Sequence, residues 1–401
     1  MSLDREAARA LSSRPDVARL LAVLDGDGEE TRIVGGAVRN VLIGRPVRDI
    51  DLATTALPAE VAARAERAGC RTVPTGIQHG TVTVIANGRP FEVTTLREDV
   101  ETDGRHAVVR FGRDFAADAE RRDFTVNALT LRRDGTVQDT VGGLADLAAG
   151  RVRFIGEAAR RIREDYLRAL RFFRFWAEYG RGPLDAAGYE AVIGARDGLA
   201  RLSRERIRTE LLKLLAAPRA VEALALLETG GLLGRLVARV CDLGRLGRAA
   251  ACEADAVGRL AACLVRSPED AGGLREALRL SNEEFARLER YAAALARLVA
   301  RTEPLDEAEL RRQAVLNGAE ALKDVAAATL GEPRPVLTAE AARLLARYRA
   351  GEAQPPRFPL TGADLVAAGL APGREIGRRL AEAREAWLAA GCPERWSWAG
   401  G

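Results

Sequence analysis

Histidine and lysine are nearly missing from this sequence: His79, His106, Lys213 and Lys323 are the only four in 401 residues. So few histidines exclude H-E-x-x-H metalloenzymes and metal-binding His-Asp domains. Neither lysine lies in a G-x-x-x-x-G-K-[ST] loop, which excludes a P-loop. No run approaches eighteen uncharged apolar residues, so no membrane-spanning helix is expected. Met1 to Leu21 mixes acids and arginines without an apolar stretch, so no secretory signal is expected. The cysteines (Cys70, Cys241, Cys252, Cys263, Cys392) contain no C-x-x-C pair. That spacing argues against a zinc site and a disulfide framework, and the expectation is a reduced, cytoplasmic protein.

What remains is an ordinary globular composition, 47% hydrophobic, with a net charge of only +4. Arg for Lys is the pattern a GC-rich genome produces. The charge is unevenly spread, with balances of −3 over residues 1–150, +8 over 151–250 and −1 over 251–401. The central segment therefore carries the basic surplus.

Residues 30–155 read as mixed α/β. Short β-rich runs recur at Thr31–Val34, Asp49–Ala53, Gly80–Ile85, Phe91–Leu96, Val126–Leu131 and Val152–Ile155, with a helix at Pro58–Ala68. Residues 97–120 are polar and weakly periodic, and read as a long mobile loop leading into a short helix. From Glu157 the spacing turns helical, at 157–179, 203–216, 218–228, 254–265, 282–301, 305–315, 336–350 and 373–389. The fold class expected is an α+β head followed by an all-α neck, body and tail. The expected bounds are 1–155 for the head, 156–220 for the neck, 221–350 for the body and 351–401 for the tail, entered through the Pro-rich linker Gly351–Pro359.

Four stretches carry chemistry. In Arg32-Ile33-Val34-Gly35-Gly36-Ala37-Val38-Arg39-Asn40 a strand runs through two glycines into a short helix. Glycines let backbone N–H groups approach a phosphate, and Arg39 is placed one turn later to grip it. Alone, a Gly-Gly pair is more often a plain turn. Ten residues on, Asp49 and Asp51 alternate with Ile50, which on a strand puts both carboxylates on one face. Two adjacent acids need a cation, and hard oxygen ligands suit Mg²⁺. Glu92, set among apolar strand neighbours, is a candidate third acid. Arg121 and Arg122 suit triphosphate neutralisation, although paired arginines are also common on surfaces.

The fourth stretch, Arg163 to Trp176, steps Asp165, Arg168, Arg171 and Arg174 by three along one expected helix. Such a stripe is usually a solvated face. Read as chemistry, a carboxylate accepting from an exocyclic amino group beside an arginine donating to a ring nitrogen selects cytosine and adenine. Uracil and guanine present the reverse order.

Together, G-G-A-V-R, R-D-I-D-L-A-T, E-V-T-T-L-R, R-R-D-F-T-V-N-A, the Asp139–Leu147 stretch D-x-x-G-G-x-x-D-L and E-D-Y-L-R-A-L-R-F-x-R-F resemble the class II tRNA nucleotidyltransferases. These are CCA-adding enzymes of the polymerase-β-like superfamily, which also holds bacterial poly(A) polymerases. Leu202-Ser203-Arg204-Glu205-Arg206 looks like their neck motif, and Gly362–Leu365 with Pro372–Gly377 like their tail. The resemblance implies that Gly35, Gly36, Arg39 and Arg121 or Arg122 bind the triphosphate. It implies that Asp49 and Asp51 hold Mg²⁺, with Glu92 as an additional acid. Asp165 and Arg168 would read the base, with Arg171 and Arg174 supporting the nucleotide.

The chain departs from the family twice, with Asn40 where Asp is usual and Tyr166 where Pro is usual. Asn40 threatens a charge partner for a nearby arginine. Tyr166 falls in a first helical turn, where Pro is favoured but dispensable.

The implied partners are tRNA, held at its acceptor and T-arm backbone, with CTP and ATP as substrates. Competing readings are an A-adding-only enzyme, a CC-only enzyme, a poly(A) polymerase and an inactive RNA-binding protein of the same fold. Gly76-Ile77-Gln78-His79-Gly80 replaces the arginine-rich stretch of poly(A) polymerases. The length of the 97–120 segment speaks against a CC-only enzyme, and the intact Asp49 and Asp51 speak against inactivity.

Overall fold

A computed structural model describes residues 2–76, 80–102 and 107–398, in two compact units, Met1–Leu202 and Ser203–Gly401. His79 and His106 lie outside the described residues, as does most of the Gly76–Gly80 stretch.

Among the described residues the first unit holds nine strands: β1 (Thr31–Val34), β2 (Asp51–Thr54), β3 (Arg71–Gly76), β4 (Thr81–Ala86), β5 (Arg89–Thr95), β6 (Arg97–Thr102), β7 (Ala107–Phe111), β8 (Thr130–Leu131) and β9 (Val137–Gln138). Seven form one sheet in the order β3-β4-β5-β2-β1-β8-β9, with β2 and β5 parallel and the other pairs antiparallel. Its helices are α1 (Arg5–Ser12), α2 (Pro15–Leu24), α3 (Gly36–Leu42), α4 (Pro58–Arg67), α5 (Phe115–Glu120), α6 (Gly143–Ala149), α7 (Ala158–Glu164), α8 (Leu167–Tyr179) and α9 (Ala186–Gly194). The second unit is helical throughout its described elements, from Arg204–Ala216 to Arg374–Ala389.

Three expectations change in the first unit. Residues 97–120 are not a plain loop: β6 and β7 pair as a separate two-stranded ribbon, followed by the short helix α5. A ribbon in its own sheet needs no buried face, so it leaves no period-two apolar signal in the sequence. The 126–131 and 152–155 runs are mostly not strands. Thr125–Asn127 is a single 3₁₀ turn, only Thr130–Leu131 joins the sheet, and Phe154 makes one isolated bridge to Phe124. Phe154 instead joins an aromatic core in which the Phe124 ring lies tilted against Phe154 at 5.0 Å and Phe175 at 5.2 Å between centroids.

The single helix expected over 157–179 is two. Asp165 is extended (φ −153°, ψ 107°) between α7 and α8, so it does not share a helix with Arg168, Arg171 and Arg174. The Asp165 carboxylate accepts the Leu167 N–H at 3.0 Å and caps the new helix start, while apolar spacing runs on through the break.

The Asp139–Leu147 stretch is a folding device. The Asp139 carboxylate accepts four backbone N–H groups, from Val141, Gly142, Gly143 and Leu144, at 2.9 to 3.2 Å. Gly143 is obligatory because a Cβ there would stand 2.2 Å from the Thr125 carbonyl oxygen. Buried Asp146 then takes the Thr125 hydroxyl at 2.7 Å and the Arg153 Nε at 3.0 Å, tying α6 to the 3₁₀ turn.

In the second unit Cys241 and Cys263 form a disulfide, against the expectation of none, with Cα atoms 5.0 Å apart and a sequence separation of 22. Spacing motifs do not register such a pair, because a disulfide needs only proximity in the folded chain. Cys70, Cys252 and Cys392 are free. No described helix is long and apolar enough to cross a membrane.

Candidate active site

The register of two strand pairs builds the acidic centre. Strand β1 ends at Val34, which lies opposite Asp51, so the Gly35–Gly36 turn sits directly beyond that carboxylate's strand position. Strand β2 runs parallel to β5 with Asp51 beside Glu92. Asp49 and Ile50 precede the strand and do not belong to it, because β1 turns away at Gly35 and leaves them no partner. Ile50 is buried while Asp49 and Asp51 are exposed, although Asp49 lies before the strand on which both acids were expected.

Gly35 adopts φ 66° and ψ −125° and donates its N–H to the Leu129 carbonyl at 3.2 Å. That conformation belongs to glycine. It lets the chain reverse into α3, whose Gly36 and Ala37 line the same cavity as Asp49 and Asp51.

Asp51 opens onto two cavities. One, of about 490 Å³, is lined by Gly36, Asn40, Arg45, Arg48, Asp49 and Tyr179. The other, of about 280 Å³, is lined by Glu92, Arg97, Asp118, Arg121 and Arg122. Partial burial, then Glu92, then Asp49 push the Asp51 pKa up, with Arg122 pulling weakly against them. Mutually repelling carboxylates of this kind are a cation site in waiting. Among the described residues no group of three or more His, Cys, Asp or Glu converges on one point. A two-carboxylate offer of hard oxygens fits Mg²⁺, which keeps water and takes phosphate oxygens for the rest of its shell.

Arg121 and Arg122 both clasp Asp118, with Nε atoms at 2.9 and 3.2 Å. Burial alone would raise the Asp118 pKa, but the two guanidinium groups, Arg122 foremost, hold it below the usual carboxylate range. Arg122 also donates to the Asn127 carbonyl at 3.3 Å, and its Nη1 lies 3.4 Å from where a Gly35 Cβ would be. Of the pair, Arg122 is the one beneath the glycine turn and electrostatically coupled to Asp51.

Arg39 does something other than its expected phosphate grip. It is only 6% exposed, and its N–H groups go to the Asn127 side chain, the Asn40 Oδ1 at 3.1 to 3.2 Å and the Tyr179 hydroxyl at 2.7 Å. Its guanidinium lies 4.0 Å from the Tyr179 ring centroid. Burial lowers its pKa, and the oxygens it touches are neutral, which is where the Asn40 departure takes effect. The arginines that do line the larger cavity are Arg45 and Arg48, which the sequence reading left without roles. Arg45 donates to the Glu178 carbonyl at 2.8 Å, and Arg48 makes no ion pair among the described residues.

The base-reading candidates sit on a connected polar path. Arg171 pairs with buried Asp123 through Nε at 2.7 Å, Asp123 accepts from the Asn127 amide at 2.9 Å, and Asn127 in turn accepts from Arg39. Arg168 donates to Glu164 at 2.7 Å and to the Arg121 carbonyl at 3.3 Å, and Arg174 lies 3.4 Å from Glu178. Asp123, Asn127 and Tyr179 were missed in the sequence because their partners lie 48 to 140 residues away. The only available signal was polar residues interrupting an apolar run at 121–131.

A glycine turn over strand-borne carboxylates in a mixed sheet, with arginines on both flanks, defines a nucleotidyltransferase head. Residues 31–153 match the family described as the poly A polymerase head domain, and residues 187–238 match the probable RNA and SrmB-binding site of polymerase A. The chain is 35% identical over 396 residues to the mitochondrial CCA tRNA nucleotidyltransferase 1 of Mus musculus, covering 91% of this chain and 84% of that protein. The corresponding protein of Danio rerio is 37% identical over 379 residues, with 89% and 83% covered. The solved CCA-adding enzyme of Bacillus stearothermophilus, in complex with CTP, superposes with a TM-score of 0.72 at 28% identity, covering 94% of each chain. The chain belongs to the CCA tRNA nucleotidyltransferase family. The compartment expected from the sequence is the cytoplasm, whereas these two vertebrate relatives carry mitochondrial names.

Proposed function

We propose that this chain adds CMP and AMP, from CTP and ATP, to the 3′ end of tRNA without a nucleic-acid template. The observation that carries the reading is the placement of Asp51 between the Gly35–Gly36 turn and Glu92, with arginine-lined cavities on either side. In this reading Asp49 and Asp51 hold Mg²⁺. The bound ion supplies charge neutralisation at the phosphates and acidifies the attacking hydroxyl.

The chain's own residues position and discriminate. The tRNA 3′-oxygen attacks the α-phosphorus in line, and the bond to the bridging oxygen breaks to release pyrophosphate. The Gly35–Gly36 turn offers the Gly36 N–H to the triphosphate while Leu129 holds the Gly35 N–H, and Arg122, Arg121 and Arg48 neutralise it as charge shifts to the leaving group. Arg39 acts from behind, holding Tyr179 and Asn127 in place. Asp165 accepts from the amino group of cytosine or adenine and Arg168 donates to the adjacent ring nitrogen. Arg171 and Arg174 set the face of α8 against which the nucleotide rests. The helical parts, proposed as neck (156–220), body (221–350) and tail (351–401), hold the tRNA acceptor and T-arm region through phosphates and shape.

The test is extension of labelled tRNA transcripts ending at the discriminator base, at C and at CC, with CTP and ATP offered separately and together. Full CCA addition is expected on the first, and A addition on the last. Extension of only the CC-ended transcript would reduce the function to A addition. Incorporation of UTP or GTP at comparable rates would remove Asp165 and Arg168 as base readers.

A further inference from the structure

The backbone at the α7–α8 break has the shape a proline imposes, yet the residue is Tyr166. Asp165 is extended (φ −153°, ψ 107°) and Tyr166 follows at φ −60°, ψ −18°. Proline fixes both, its own φ near −65° and an extended conformation on the residue before it. Tyrosine fixes neither, so something else must hold this corner.

Gly198, in the 3₁₀ turn Arg196–Arg201, faces the ring. A Cβ on Gly198 would stand 1.7 Å from Tyr166 Cε1 and 2.2 Å from its Cδ1 and Cζ, so the ring fills the space a side chain would need. Gly198 is absent from the residues with positive φ, so its backbone does not call for glycine. The ring does. On the same turn, the Arg201 guanidinium lies 5.6 Å from the Tyr166 ring centroid.

We propose that Tyr166, braced on Gly198, is a positioning residue that holds the Asp165 carboxylate in base-reading geometry. The proposal rests on the reading of Asp165 as the base contact. Asp165 is tethered on both sides: its N–H donates to the Arg161 carbonyl of α7 at 3.4 Å, while its carbonyl accepts the Arg168 N–H and its carboxylate the Leu167 N–H, each at 3.0 Å. The carboxylate's own tether is to the first turn of α8. The direction of the carboxylate therefore follows the direction of that helix start, and Tyr166, one residue away, connects the helix start to the turn at Gly198. Without the brace, the helix start can shift relative to the turn at Gly198, and the carboxylate shifts with it.

The experiment compares Tyr166→Ala, Gly198→Ala, Tyr166→Pro and the double variant Tyr166→Pro/Gly198→Ala on tRNA ending in C or CC. The readouts are KM and kcat for CTP and ATP, misincorporation of UTP and GTP, and the melting temperature. Tyr166→Ala and Gly198→Ala are expected to raise the nucleotide KM and misincorporation about tenfold, the scale of one modest contact, with a smaller change in kcat. Tyr166→Pro is expected to restore near wild-type selectivity, and Gly198→Ala to become silent in that background.

If the double variant is as impaired as Gly198→Ala alone, the glycine serves another purpose and the brace is wrong. The double variant also keeps the test open should Gly198→Ala alone unfold. Asp165→Ala separates the two layers. Unchanged selectivity there defeats the base-reading assignment itself. Lost selectivity in Asp165→Ala beside a wild-type Tyr166→Ala defeats only the brace.

Discussion

The two units use the same arginine–carboxylate chemistry in opposite proportions. In the helical unit one arginine is enclosed by acids: Arg287 reaches Asp324 at 2.8 Å, Asp255 at 2.8 Å and Glu320 at 3.1 Å, with its side chain only 12% exposed. Those acids raise the Arg287 pKa further despite its burial. In the first unit one acid serves two arginines, Asp118 holding both Arg121 and Arg122 at the edge of a cavity. Enclosure makes a structural staple. A shared acid leaves positive charge available to an incoming anion, and only that arrangement adjoins Asp51 and Glu92.

The comparison is broken most severely at the carboxylates. Asp51→Ala is expected to cut turnover by about a thousandfold or more, the loss of several kcal/mol of metal-borne stabilisation, while tRNA affinity stays near wild type. Single-turnover kinetics and a filter-binding titration check both halves, and near-normal activity would remove the metal assignment. Next in size is Arg287→Ala, which leaves the buried Asp324 without its counter-charge beside the exposed Asp255 and Glu320. It should cost the helical unit about 3 kcal/mol of stability in urea titrations and leave the KM for CTP of the folded protein unchanged. A raised KM with unaltered unfolding would mean that the staple is part of the site after all.

The smallest effect is a pH dependence. Burial would raise the Asp123 pKa, but Arg171 and Asn127 hold it below the usual range. A depressed folded-state pKa contributes stability that is complete above the unfolded value, near 3.9, and is lost as pH falls through the lower folded value. Unfolding free energy should therefore fall by about 1 kcal/mol more in wild type than in Asp123→Asn as the pH is taken from 5 to 3. Equal slopes would show that the Asp123–Arg171 pair contributes no net linkage.

What could be read in advance was whatever is written locally. β1 coincides with its expected run because Thr31–Val34 is buried along its whole length, and Arg204–Ala216 because its helical spacing is unbroken. Asp49, Asp51 and the glycine turn were legible because they lie no more than sixteen residues apart in one strand-turn-helix-strand stretch. The Asp165 break was hidden by apolar spacing that suits both helices. The β6–β7 ribbon was hidden because it pairs only with itself. The path that joins Asp123 and Asn127 to Arg171, Arg39 and Tyr179 was hidden because those contacts span 48 to 140 residues of sequence. Arg39 shows the cost of reading a residue type without its burial, since a guanidinium predicted to meet phosphate is enclosed by neutral oxygens.

Gly35 carries one more implication. Its φ of 66° with ψ of −125° is the mirror image of an ordinary extended residue. The step between β1 and α3 is therefore of opposite handedness to everything around it, and among the encoded amino acids only the achiral one fits without strain. What fixes the shape of the site at that point is stereochemistry and not charge, so no change of salt, pH or metal can loosen it.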